Sequence, residues 1–535
     1  MSIDATGGDA VVQALLSHGF DTLFGLPGVQ NDWLYNALFD AQPAIRVIHT
    51  RHEQGAAYMA LGYALSSDRI GLCNVVPGPG VLNAGAALAT AFALNAKVLL
   101  LSGQIPLRHL ARGLGTLHEV PDQPGLLRSL TKLSTRIEHP THAAFRIAEA
   151  VAHLQHGRPR PVAVEVPMDV LQQRAQVDLH IPRVELPSAP LNVSGIESAA
   201  KLIEQAKHPL IFVGSGAQGA SGLVTQLAEF LQAPVVGYRT GRGVVDSRNA
   251  LSCVLPEARP LWQETDLLIA LGSNARSAFQ SWGGLKQRKF VRIDADPTTH
   301  GTFGTPDVAI TARLEDVLPE LLATLTKRAG ARAPRDERMA EIHRTWRQQS
   351  AILEPQIGFL RAIREALGED GIFVDELTQV GFASRILLPV YHPRTFISTG
   401  YMGTLGYGFP TALGAKVANP TRRVLSVTGD GGFMFASNEL ASAVQHGIAL
   451  VTVLFNNHQY GNVRQMQRDL YGGRVIASHL VNPDFERYVS SFGARYARAH
   501  DAEELAKVLD AEFASGEPSV VEVPVGDMVS VDRFR

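Results

Sequence analysis

The stretch VLSVTGDGGFMFASNELASAVQHGIALVTVLFNN, residues 424–457, opens on an apolar run, passes a glycine-bracketed aspartate, and closes on a second apolar run and two asparagines. VLSVTG (424–429) reads as a strand, and in an open parallel sheet ligands bind beyond the carboxyl ends of the strands. Asp430 therefore stands where ligands go. The glycines around it, Gly429, Gly431 and Gly432, let backbone N–H groups come close to a phosphate because no Cβ intervenes. A helix opening there would aim its positive end at the same point. ALVTVLF (449–455) then delivers Asn456 and Asn457 to the same sheet edge. One carboxylate, one amide oxygen and a backbone carbonyl just beyond are hard oxygen donors, the set that suits Mg2+. Taken alone, G-D-G reads as a tight turn and the asparagines as a helix cap. The two ends together, each behind a strand, favour a ligand site.

Working outward, strand-length apolar runs alternate with helical stretches through all 535 residues, which predicts an α/β protein of doubly wound parallel sheets covered by helices. In the first part AIRVIHT (44–50), IGLCNVV (70–76), KVLLLSG (97–103) and PVAVEVP (161–167) are the strands. Aperiodic, proline-bearing stretches at 183–195 and 328–338 read as linkers, giving three domains at 1–180, 190–330 and 350–535. Segments 62–103 and 414–457 share one order of helix end, arginine, strand, glycine-bracketed turn, helix and strand, which suggests a duplication.

Composition narrows the function classes. Hydrophobic residues at 45% and charged residues at 19% fit a packed α/β protein, and a net charge of -2 gives no electrostatic case for nucleic acid or an anionic membrane as partner. Cys73 and Cys253 are too few for a disulfide framework and lack metal-ligand spacing, which favours a reducing compartment. The N-terminal residues do not read as a signal peptide, so the expected location is the cytoplasm. Val81 to Gly103, the most apolar long stretch, is interrupted by Asn83, Asn95 and Lys97 and reads as a buried helix and strand rather than a membrane span.

The Gly-Asp-Gly to Asn-Asn pattern resembles the signature of thiamine-diphosphate-dependent enzymes. Within them the chain is similar to the acetohydroxyacid synthase, pyruvate oxidase and benzoylformate decarboxylase group. That resemblance implies three domains, pyrimidine-binding, central Rossmann-like and diphosphate-binding. It implies thiamine diphosphate and Mg2+ as cofactors, with Asp430, Asn457 and the Gln459 carbonyl as metal ligands and Gly429, Gly431 and Gly432 at the diphosphate. TRHEQGAAYMALGYAL (50–65) resembles the family's R-H-E-x-x-A segment and puts Glu53 in the place of the glutamate that activates the cofactor through its aminopyrimidine ring. Burial beside that ring would raise the acid's pKa. By itself Glu53 reads as a first-turn acid complementing a helix dipole.

STGYMGTLGYGFPTALGAK (398–416) resembles the family's G-T-M-G-x-G-x-P stretch, with Leu405 as the apolar residue that keeps the cofactor bent and Gly403 offering a carbonyl to the pyrimidine amino group. FGLPGVQNDWLYNAL (24–38), PGPGVLNAGAALATA (77–91), LLSGQIP (100–106), GRPRPVAVEVPMDV (157–170) and DLLIALG (266–272) also look like their counterparts in the synthase branch, so the resemblance covers nearly the whole chain. Because the family pairs the first domain of one subunit with the third of another, Glu53 and Asp430 are expected to meet across a homodimer, with a homotetramer common.

GSGAQG (214–219) spells the dinucleotide fingerprint, but APVVGYRTGR (233–242) ends on Tyr238 and Arg239 where a nicotinamide site needs an acid. Family middle domains bind FAD in some members and nothing in others, which leaves FAD open. The implied substrate pocket holds Val29, His118, Asn462 and Met466. The synthase pattern has methionine and tryptophan where Asn462 and Met466 stand, and glutamine where His118 stands. His118 is either a proton carrier or a residue that shapes the pocket. The reaction implied is decarboxylation of a 2-oxo acid, pyruvate first, with ligation of the remaining unit to a second carbonyl. The alternatives are a non-ligating decarboxylase, an FAD-using oxidase and a catalytically silent homologue.

Overall fold

The computed structural model describes residues 2–178, 180, 184–187 and 190–534. The expected linker at 183–195 lies partly outside them. Three six-stranded sheets, each parallel throughout, carry the architecture. The first runs, edge to edge, Arg46–His49, Thr22–Gly25, Gly71–Val75, Val98–Gln104, Val162–Pro167, Leu133–Arg136. The third runs Phe396–Ile397, Ile372–Val374, Val424–Gly429, Val451–Asn456, Ser519–Pro524, Arg495–Arg498. Numbered along the chain, both have the order 2-1-3-4-6-5, as the duplicated pattern at 62–103 and 414–457 suggests. The middle sheet differs. Its strands Ser252–Cys253, Val235–Gly237, Pro209–Val213, Leu267–Leu271, Lys289–Asp294 and Val308–Thr311 have the order 3-2-1-4-5-6.

The central strands are near-continuous apolar runs because helices cover both faces of each sheet. Leu99, Leu100, Val451 and Val453 are buried, as are Ile269 and Val291 in the middle sheet. One hydrophobic core joins the first and third sheets, including Tyr58, Leu88, Tyr407 and Phe433. At its centre the helices Glu53–Ser67 and Gly408–Ala418 cross, each occupying the same place in its own sheet, between the second and third strands. A Cβ on Gly62 would lie 1.8 Å from the Thr411 carbonyl oxygen, and one on Gly414 would lie 1.8 Å from that of Met59. Only glycine permits so close a crossing.

The segment between Gly429 and Asn457 departs from the single helix its pattern predicts. It forms a four-residue helix Asp430–Phe433, a 3-10 turn Ser437–Glu439 and a second short helix Leu440–Gln445. The chain unwinds after Phe433 through turn bonds from Phe435 N–H to Gly432 and from Ala436 N–H to Phe433. This break sends the Glu439 side chain toward the first domain. Four residues sum to little macrodipole, so an anion here is met by the N–H groups of the turn rather than by a long helix. Pro79–Leu94 and Val98–Gln104 are the buried helix and strand expected of the apolar stretch, and among the described residues no helix is long and apolar enough to cross a membrane.

Candidate active site

A cleft of about 290 Å3 opens at the carboxyl end of the third sheet. Gly403, Leu405, Gly429 to Gly432, Asn457, Gln459 and Asn462 line it, so most of the positions that the sequence marks in the last domain come together. Val424–Gly429 and Val451–Asn456 are neighbouring strands, paired from Leu425 with Val451 to Gly429 with Phe455, and this register sets Asp430 beside the asparagines. Met466 does not line the cleft. The helix Gly461–Leu470 turns Gly461, Arg464, Gln465 and Arg468 inward at helical spacing and leaves Met466 exposed.

Asp430 is only 2% exposed. Its Oδ2 accepts a hydrogen bond of 2.7 Å from Asn482 Nδ2, which also donates to Asn456 Oδ1 at 3.0 Å. Asn456 is tied in turn to Glu522, whereas the Asn457 side-chain amide lines the cleft with no hydrogen-bond partner among the described residues. A buried carboxylate, an unspent amide and the backbone at Gln459 make an oxygen donor set of the kind Mg2+ takes. The turn itself is a cradle that a side chain would fill, since a Cβ on Gly431 would lie 2.5 Å from the Tyr460 ring. These residues fit a metal-bound diphosphate.

The opposite wall is the loop Thr399–Tyr407. Gly400, Gly403 and Gly406 adopt left-handed φ of 63°, 64° and 76°, a geometry that sharpens the loop and brings Leu405 to the cleft. Gly403 N–H donates to Thr399 Oγ1 at 2.8 Å, and Gly406 N–H donates to Glu376 Oε1 at 2.6 Å. Burial pushes the Glu376 carboxyl up to about 7, an effect that the donors Thr428, Gly406 and Gly408 partly offset.

The first-domain positions gather separately. Glu53 opens its helix, half-buried, and accepts a 2.9 Å hydrogen bond from Asn83 Nδ2. It does not line the cleft at the third sheet. The full burial expected of Glu53 is thus absent in the single chain. His118, at φ 67°, holds Gln30 Oε1 through Nδ1 at 2.9 Å, while Gln30 Nε2 donates to the Leu117 carbonyl. Val29, next to Gln30 along the chain, is 54% exposed. A Cβ on Gly78 would lie 2.3 Å from the His118 carbonyl oxygen, and one on Gly80 would lie 3.7 Å from Glu53 Oε1, so Glu53 and His118 flank one turn.

Three further residues shape the site. Glu439, buried in the third domain, accepts from the N–H groups of Arg51 and His52 immediately before Glu53 and from Ser442 Oγ at 2.6 Å. Burial raises its pKa, and these donors oppose the rise. It anchors the start of the Glu53 helix from the neighbouring domain. Glu376 is legible in principle as an acid just past the apolar run IFV (372–374), a strand-end position like that of Asp430. Asn482 sits in VNPDF, where no pattern marks it.

A second cleft, of about 430 Å3, lies at the middle sheet around the GSGAQG turn. Gly400, Tyr401 and Met402 reach it from the third domain, and the Tyr401 ring lies between the guanidinium groups of Arg239 at 4.2 Å and Arg276 at 4.5 Å.

Comparison with known proteins agrees with this geometry. Residues 5–126, 196–321 and 377–523 match, in turn, the N-terminal TPP binding domain, the central domain and the C-terminal TPP binding domain of thiamine pyrophosphate enzymes. The chain belongs to the thiamine-diphosphate-dependent enzyme family, in its acetohydroxyacid synthase and pyruvate oxidase type. It is similar to a probable 2-ketoarginine decarboxylase of Pseudomonas aeruginosa, 32% identical over 97% of this chain and 94% of that one. It is equally similar to a probable acetolactate synthase large subunit of Methanocaldococcus jannaschii, 32% identical over 97% and 92%. An acetolactate synthase large subunit of Parasynechococcus marenigrum is 30% identical over 97% and 87%. The chain is thus a thiamine-diphosphate-dependent enzyme acting on 2-oxo acids.

Proposed function

We propose that the enzyme decarboxylates a 2-oxo acid, pyruvate first, and joins the remaining unit to a second carbonyl. The observation that carries this reading is the single cleft uniting Leu405, Asp430 and Asn457 in a chain similar over almost its whole length to acetolactate synthases. Bound thiamine diphosphate supplies a nucleophilic ring carbon and an electron sink for the carboxylate that leaves as CO2. Asp430, Asn457 and the Gln459 carbonyl would hold Mg2+, and the N–H groups of Gly429 to Gly432 would meet the diphosphate. Leu405 would set the bend of the cofactor, and the Gly403 carbonyl would be available to its pyrimidine amino group. Glu53 would hydrogen-bond the far ring and hold the proton that activates it. His118, with Gln30 behind it, faces the substrate from the Glu53 side.

Because Glu53 lies outside the cleft of its own third domain, we take the working unit to be a homodimer in which the first domain of one chain covers the cleft of its partner, with a tetramer as a pair of dimers. The domains are 1–180, 190–330 and 350–535. The free, buried Cys73 and Cys253 suit a cytoplasmic enzyme.

The second reading is a decarboxylase that releases aldehyde, favoured by the similarity to the probable 2-ketoarginine decarboxylase and by Asn462 at the cleft wall. Incubation with Mg2+, thiamine diphosphate and a panel of 2-oxo acids, pyruvate and a guanidinium-bearing one included, with and without an acceptor carbonyl, separates the two. A ligated hydroxy-ketone product with acceptor in excess supports the first reading, and free aldehyde under the same conditions replaces it with the second. An absorption spectrum of the purified protein decides whether FAD occupies the cleft at the middle sheet.

A further inference from the structure

The strand Ile372–Val374 ends on two acids, Asp375 and Glu376, at 0% and 1% exposure. Asp375 has a cation, accepting from Arg385 Nε at 2.7 Å. Glu376 makes no ion pair among the described residues, and its oxygens are met by neutral donors instead. Oε1 accepts from Gly406 N–H at 2.6 Å, Oε2 accepts from Thr428 Oγ1 at 2.8 Å, and the Gly408 N–H adds a further bond. A Cβ on Gly432 would lie 2.7 Å from Oε1, so the carboxylate also lies against the glycine turn. One side chain therefore touches three separate segments: the loop just past Leu405, the end of the strand that leads to Gly429 and Asp430, and the turn facing the diphosphate.

A buried, unpaired acid is costly, and an apolar residue of similar volume would serve packing better. What an apolar residue could not do is accept bonds on two oxygens from two segments at once. We propose that Glu376 is a positioning residue of the cofactor site, clamping the Leu405 loop to the strand and turn that carry Asp430, so that the bend and the anchor of the cofactor keep one fixed separation. Glu376 itself does not line the cleft. It acts through Gly406 and Thr428.

This inference rests on the reading of Leu405 and Asp430 as cofactor residues, and titration of the parent protein with thiamine diphosphate and Mg2+ tests that reading by itself. The clamp is tested by Glu376→Ala and Glu376→Gln in the full chain, reading cofactor affinity from intrinsic tryptophan fluorescence and amide hydrogen exchange over residues 399–408 without cofactor. Glu376→Ala should weaken thiamine diphosphate about tenfold, the loss of roughly one well-placed acceptor. It should also speed exchange in that loop while the strands of the third sheet stay protected. Glu376→Gln keeps an acceptor for Gly406 and can donate to Thr428 Oγ1, whose own proton can turn to the Gly429 carbonyl 3.2 Å away. It should restore both readouts to within about threefold of the parent. If Glu376→Ala fails to fold, Thr428→Val removes one donor from the same clamp and should weaken the cofactor about threefold. Parent-like affinity and exchange in Glu376→Ala or, in its stead, Thr428→Val would overturn the clamp. So would exchange raised across the whole third sheet with no rescue by Glu376→Gln, which would mark a residue that merely holds up the domain.

Discussion

The first and third sheets share a strand order and a crossing pair of helices, yet the turns after their third strands are chemically opposite. After Gly71–Val75 come Val76, Pro77, Gly78 and Pro79, and the two prolines remove their N–H groups. The N–H that remains at Gly78 is spent on Gln123 Oε1 at 2.7 Å. After Val424–Gly429 come Asp430, Gly431 and Gly432, every residue with its N–H and with glycine on both sides of a buried acid. The first turn cannot cradle an anion and the third can. A repeated topology thus yields two different half-sites, and the difference lies in a few residues at strand ends.

That contrast can be broken at its strongest point. Asp430→Ala should abolish turnover and the rise in melting temperature that thiamine diphosphate with Mg2+ gives the parent, because the anchoring carboxylate is gone. A variant still stabilised by the cofactor would mean that the anion site lies elsewhere. Glu53→Gln should lower turnover by about 10^2 to 10^4-fold, the usual worth of a positioned acid or base, with cofactor affinity almost unchanged. Lost affinity instead would make Glu53 a binding residue and blur the division between the two half-sites.

The helix crossing comes next in size. Gly414→Val puts a side chain where the Met59 carbonyl oxygen stands and should lower the melting temperature by about 5–10 °C. An unchanged melting temperature would show that the helices separate easily and that the shared core is not set by this contact. The smallest effect concerns pH. Glu376 is raised from an ordinary 4.5 to about 7, so its contribution favours the folded state below about pH 4.5 and is lost as pH rises through about 7. The loss amounts to about 3 kcal/mol, and the melting temperature of Glu376→Gln should gain on that of the parent across this window. A constant difference between the two would place the Glu376 carboxyl in its ordinary range.

Much of this was legible because the relevant signals are local. VLSVTG and ALVTVLF are strands at almost the predicted bounds, and the repeated order at 62–103 and 414–457 corresponds to sheets of one topology. The glycine-rich stretch 398–416 leads into the helix Gly408–Ala418 through a loop in which Gly400, Gly403 and Gly406 adopt left-handed φ. What sequence could not mark depends on contacts between distant segments. The expected helix is broken before Glu439, whose partners are the N–H groups of Arg51 and His52, almost 400 positions away along the chain. Met466 points away from the cleft because the phase of the short helix Gly461–Leu470 is set by how residues 457–460 leave the strand, which composition does not encode. Asn482 holds Asp430 from a loop without periodicity.

The central claim is that Glu53 of one chain and Asp430 of another serve one cofactor, and mixed dimers test it most directly. Glu53→Gln and Asp430→Ala chains, each inactive alone, are unfolded together, refolded with thiamine diphosphate and Mg2+, and assayed. If the half-sites meet across the dimer, each mixed pair carries one intact site and one doubly broken site, and activity should return to about a quarter of the parent's. If each chain builds its own site, every site in the mixture is broken, and the mixture would remain as inactive as its parts.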